Sequence, residues 1–140
     1  MKLIPVIFWT GTGNTQMMAD AIAEAINAAG AEAVVKNVSE ISADEAAGYD
    51  ALALGCPAMG AEVLEECEFE PFFTELEGKL AGKKVALFGS YGWGGSYMQD
   101  WEARVKDAGA TLVADGVLAL GAPDDEAMAK LAEAGKLLAE

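Results

Sequence analysis

A chain of 140 residues, 53% of them hydrophobic and 23% charged, can bury one sizeable core and is too apolar to stay disordered. Its net charge of −14 repels nucleic acid and anionic membranes, so neither is an expected partner. The absence of histidine, with two cysteines eleven residues apart, argues against a zinc site or disulfide framework and removes the commonest general base. No run of about 18 apolar residues offers a membrane span. The apolar stretch in MKLIPVIFWT is too short for a signal peptide, so a cytoplasmic location is expected. Solubility is the simplest use of the charge, and a basic-faced protein is its natural complement.

Val6 to Trp9 is a short apolar run before a glycine loop and predicts a buried strand. Pro5 has no ladder hydrogen to donate, which places the strand's start at Val6. From Asn14 to Ala29 apolar residues recur at helical spacing, and Gly30 ends that helix. Ala33 to Val38 is a second strand. Ser42 to Glu45 reads as a capping box for a short helix. Tyr49 to Cys56 is a third strand. An acidic loop follows, then a helix from Phe72 to Leu80. Lys83 to Gly89 forms a fourth strand, Tyr97 to Ala108 a helix and Thr111 to Leu120 a fifth strand. The last helix runs from Glu126 to Leu138, with Asp124 and Asp125 suited to its N-terminus.

Five β-α repeats with strands buried on both faces predict an α/β domain, a doubly wound parallel sheet filling residues 1–140. In the strand order 2-1-3-4-5, ligands bind beyond the carboxyl ends of the strands, where strands one and three part. Three loops meet there: TGTGNT after strand one, CPAMGAE after strand three and GSYGWGGS after strand four.

The first loop suits a phosphate. Gly11 and Gly13 let backbone N–H groups turn inward. Thr10, Thr12, Asn14 and Thr15 add neutral donors, and the next helix adds its positive end. The loop is neither GxxxxGK[ST] nor GxGxxG, which points to a mononucleotide. Met59 and Trp93, on glycine-flanked loops, are apolar surfaces for a flat ring. A tight turn and ordinary packing are the simpler alternatives for each loop taken alone. Trp9, Trp101 and Tyr97 read as packing residues, and Cys56 as a buried structural thiol.

TGTGNT, LGCPAMGAEVLEE and LFGSYGWGG together resemble the flavodoxins, small carriers of electrons on flavin mononucleotide (FMN). The likeness spans nearly the whole chain and is nearest to the short-chain, clostridial type. It implies a flavodoxin-like three-layer sandwich. It also implies that Thr10, Gly11, Thr12, Gly13, Asn14 and Thr15 cradle the FMN phosphate. Met59 would lie on one face of the isoalloxazine and Trp93 on the other. Pro57, Ala58, Gly60, Ala61 and Glu62 would line the ring from the second loop, with Glu62 accepting from N3–H. Ser90, Tyr91, Gly92 and Gly94 would line it from the third, with Tyr91 either beside the ring or at its dimethylbenzene edge. Ala61 and Pro57 stand where relatives often carry an acidic residue or serine, and serine, respectively.

The resemblance further implies a low-potential one-electron carrier cycling between neutral semiquinone and anionic hydroquinone. The Gly60–Ala61 peptide would turn on reduction, and its new hydrogen bond would contribute about 0.5–1.5 kcal/mol. Glu62, Glu65, Glu66 and Glu68, with no cation in the phosphate loop, would disfavour an anionic flavin and keep it a strong donor. The implied partners are basic-faced reductases and low-potential oxidoreductases, met by a monomer. The alternatives weighed are a small FMN-dependent NAD(P)H reductase and a signalling receiver domain. The latter lacks an acidic pocket after strand one and a lysine after strand five.

Overall fold

The computed structural model describes residues 2–9, 13–57, 67–91 and 96–140. The elements run β1 (Leu3–Phe8), α1 (Asn14–Ala28), β2 (Glu32–Asn37), a 3-10 turn (Val38–Glu40), α2 (Ala43–Ala46), β3 (Ala51–Gly55), α3 (Phe69–Glu77), β4 (Lys84–Tyr91), α4 (Ser96–Asp107), β5 (Thr111–Leu112), β6 (Val117–Leu120) and α5 (Asp125–Ala139). The sheet order is β2-β1-β3-β4-β5, with β6 also on β4, and the pairs are parallel. This is the expected doubly wound sheet.

The alternation of a strand sends successive side chains to opposite faces, and here each face meets its own helices. Ile4, Val6 and Phe8 of β1, Ala51 and Ala53 of β3 and Ala86 and Phe88 of β4 join α1 and α5 in one core. Ile7, Leu52, Leu54, Val85 and Leu87 join α2, α3 and α4 in the other. Small residues on the first face bring α1 and α5 close. A Cβ added at Gly135 of α5 would stand 2.8 Å from the Ile22 carbonyl oxygen and from the Ala25 methyl.

Four of the departures from the expected boundaries have a clear physical reason. β1 begins at Leu3 and contains Pro5, which pairs with Val34. Lys2 turns its carbonyl toward β2 and Trp9 turns its N–H toward Gly55 of β3, so odd residues of β1 face β3. Pairing with β3 begins only at Val6, and the hydrogen Pro5 lacks is not asked for. α3 begins at Phe69 and carries Pro71 in its first turn, where a missing N–H costs nothing. β4 runs on through Ser90 and Tyr91 because β6 pairs with both. The fifth strand is broken into β5 on the start of β4 and β6 on its end.

The Ser42 hydroxyl accepts from Glu45 N at 3.1 Å and caps α2. The reciprocal capping box lies one turn earlier, between Asn37 and Glu40. α3 and α4 are clamped by Arg104, which donates to both oxygens of Glu70 at 2.7 and 2.9 Å and to Glu77 at 3.0 and 3.1 Å. Its guanidinium also lies 4.7 Å from the centre of the Phe73 ring. The hydrogen bonds from Arg104 hold the Glu70 carboxyl below the usual range for glutamate. The two carboxylates, Glu70 first, push the guanidinium up.

Candidate functional site

The carboxyl edge of the sheet gathers the ends of β1, β3, β4 and β6. Phe8 aligns with Gly55, Gly55 with Phe88 and Tyr91 with Leu120. Backbone hydrogen bonds carry the register past the strand ends, from Trp9 N to Gly55 O at 3.0 Å, Cys56 N to Phe88 O at 3.1 Å and Gly121 N to Tyr91 O at 3.0 Å. The sequence-predicted residues that are described, Gly13, Asn14, Thr15, Pro57, Ser90 and Tyr91, all follow or end these strands. Thr10, Gly11, Thr12, Ala58, Met59, Gly60, Ala61, Glu62, Gly92, Trp93 and Gly94 lie outside the described residues, as do Glu65 and Glu66.

The start of α1 is built differently from those of α2 and α5. Ser42 and Asp124 cap α2 and α5 with side-chain oxygens. The N-cap of α1 is Gly13, at φ 92° and ψ −10°, which has no side chain to cap with, and the first turn contains no acid. A left-handed residue there suits glycine. The first-turn N–H groups of any α-helix lack partners within the helix, and the helix's positive end lies behind them. Thr15, one of two buried polar residues among the described residues, is 1% exposed beside them. This donor set fits a phosphate held without a cation.

Ser90, also buried, sends its hydroxyl proton to the Gly121 carbonyl at 2.7 Å. It ties β4 to β6 and keeps only acceptor capacity for a ligand. Gly121, whose role the sequence left open, has φ 72° and so belongs to this edge. Trp9 is half-buried and its Nε1 donates to Glu68 at 3.4 Å, joining the segment before the phosphate loop to the segment before α3. Lys83 and Lys84 stand at the opposite end of β4, where Lys83 Nζ donates to the Tyr49 carbonyl at 2.7 Å. Over a strand of eight residues that is more than 20 Å from the site, at about 3.3 Å per residue.

The flavodoxin family model matches residues 6–135, which span all three loops. The flavodoxin of Clostridium beijerinckii is 48% identical over 135 residues, covering 96% of this chain and 97% of the other. The chain belongs to the flavodoxin family. Flavodoxin from Megasphaera elsdenii is 47% identical over 117 residues, covering 83% of this chain and 85% of that one. The solution structure of its two-electron reduced form superposes with a TM-score of 0.89 at 44% identity, covering 97% and 98%. Flavodoxins are FMN-containing, low-potential electron carriers rather than enzymes, which sets the NAD(P)H reductase aside. As a flavodoxin the chain exchanges electrons with redox proteins. Among the described residues no helix is long and apolar enough to cross a membrane.

One contact near this edge escaped sequence reasoning. Tyr97 packs as expected, 3% exposed, but its hydroxyl also donates to the Cys56 carbonyl at 2.8 Å. The available signal was Gly89, a glycine inside a strand, which marks a close approach.

Proposed function

We propose that this chain is one domain, residues 1–140, that carries FMN at the carboxyl edge of its sheet and meets basic-faced redox partners as a cytoplasmic monomer. Thr10 to Thr15 hold the phosphate with backbone N–H groups and hydroxyls. Met59 and Trp93 cover the two faces of the ring. Pro57 to Glu62 and Ser90 to Gly94 border its edge. Bound FMN supplies one-electron redox chemistry, and the protein's part is to hold, orient and shield it. The observation that carries this reading is the side-chain-free, left-handed cap of α1, the helix that follows β1 in the chain.

Riboflavin, which lacks the phosphate, tests it. Hydrogen bonds to a charged group contribute about 1.5–3 kcal/mol each, so two of them separate the ligands by about 100-fold or more. Fluorescence titration of the flavin-free chain is expected to give that ratio in favour of FMN. Equal affinities would remove the phosphate from the site.

The partner class rests on the charge of −14. Rates of electron exchange with a basic redox protein are expected to fall as salt rises from 0.01 to 0.15 M, where the Debye length shrinks from about 30 to 8 Å. A flat stopped-flow profile would exclude acidic docking.

A further inference from the structure

Tyr97 is the second residue of α4, directly after the segment that carries Trp93. Cys56 follows β3 and precedes the segment that carries Met59. Forty-one residues apart, they are joined by the hydrogen bond from the Tyr97 hydroxyl to the Cys56 carbonyl, 2.8 Å long and buried. The same Cys56 residue donates its N–H to Phe88 of β4 at 3.1 Å, so its backbone is held from two sides. β4 makes room for the hydroxyl. A Cβ at Gly89 would stand 2.0 Å from the Tyr97 oxygen. The ring is fixed as well, stacked on Trp101 at 6.5 Å and 25°. Burial pushes the phenol far above its ordinary range, so it stays protonated and remains a donor.

We infer that Tyr97 is a positioning residue for FMN, its hydroxyl pinning the residue after β3 to the start of α4, the points of the chain next to which the Met59 and Trp93 segments begin and end. The inference rests on the assignment of those segments to the flavin ring made above. A tie of this kind raises affinity by sparing the ligand the cost of ordering its own site.

The experiment uses the full-length chain stripped of flavin and three variants, Tyr97→Phe, Trp93→Ala and the double variant. Each is titrated with FMN and unfolded in urea. Tyr97→Phe keeps the ring on Trp101 and removes only the donor. It is expected to weaken FMN binding about fivefold, in line with one hydrogen bond. Trp93→Ala is expected to weaken it at least as much. The double variant is expected to lose less than the product of the two, because anchoring matters only while the anchored side chain is present. Three results would overturn the inference. If Tyr97→Phe lowers the urea midpoint but leaves the FMN affinity as it was, while Trp93→Ala weakens it, the hydroxyl serves the fold alone and the site assignment stands. If the two losses multiply in full, the hydroxyl acts independently of the Trp93 segment. If Trp93→Ala leaves affinity unchanged, the ring assignment itself fails and takes the inference with it.

Discussion

Trp101→Ala is expected to cost about 3–5 kcal/mol of folding stability, the range for truncating a large buried aromatic. Trp101 is 1% exposed and is among the largest fully buried side chains of the chain. Its ring meets Phe69 at 5.5 Å and Phe73 at 5.9 Å, both edge-on at 88°, and stacks on Tyr97. It is therefore the apolar joint between α3 and α4, the helices that follow the two segments proposed to border the flavin ring. Among the described residues its Nε1 has no hydrogen-bond partner. Removing the indole thus forfeits volume and ring contacts but no hydrogen bond. Trp101→Phe should recover most of the loss, since a ring remains and a buried unsatisfied donor, itself a penalty of about 1–3 kcal/mol, disappears. Urea unfolding of both variants checks this. A Phe variant as damaged as the Ala variant would show that the nitrogen matters.

The fold was legible where one pattern repeats locally. Short apolar runs with helical spacing between them were enough for the β-α repeat, and the order 2-1-3-4-5 is the doubly wound order that such a repeat allows. The boundaries that moved did so because a distant segment decides them. Ser90 and Tyr91 look like the start of a turn beside Gly92, yet they pair with Ala119 and Leu120, twenty-nine residues on. The break in the fifth strand has a similar origin. Gly116 donates its N–H to Glu102 of α4 at 2.7 Å, and a Cβ there would collide with Met98. Neither contact is visible in the run from Thr111 to Leu120 alone.

The site divides in the same way. Its proposed phosphate end is a local motif, and Gly13 of that motif caps α1. The internal ties of its ring end are not local. Ser90 to Gly121 and Tyr97 to Cys56 span 31 and 41 residues, and no spacing rule links such positions. Only residues that give up a side chain, Gly89 above all, leave a trace of these contacts in the sequence.

Gly89→Ala should therefore be far more harmful than its position in a strand suggests, costing about 3 kcal/mol, the upper part of the usual range for overpacking. The added methyl would fall 2.0 Å from the Tyr97 hydroxyl, 2.2 Å from the Cys56 carbonyl oxygen and 3.1 Å from its carbon. Swinging Tyr97 aside would relieve the first clash at the cost of the hydroxyl's hydrogen bond. It would not relieve the second, because the Cys56 oxygen belongs to backbone held against β4 through Phe88. β3 and β4 must part locally, at the edge where the cofactor is proposed to sit. A chain of this length should lose about 10 °C in melting temperature. Gly78→Ala is the matched control. Gly78 caps α3 in a right-handed conformation, and nothing lies within 4 Å of the added methyl, so stability should hold or rise by about 0.4–1 kcal/mol. Thermal unfolding of the two variants separates a general intolerance of alanine from a specific close approach. Equal losses would mean that Gly89 is not the seat that Tyr97 and Cys56 require.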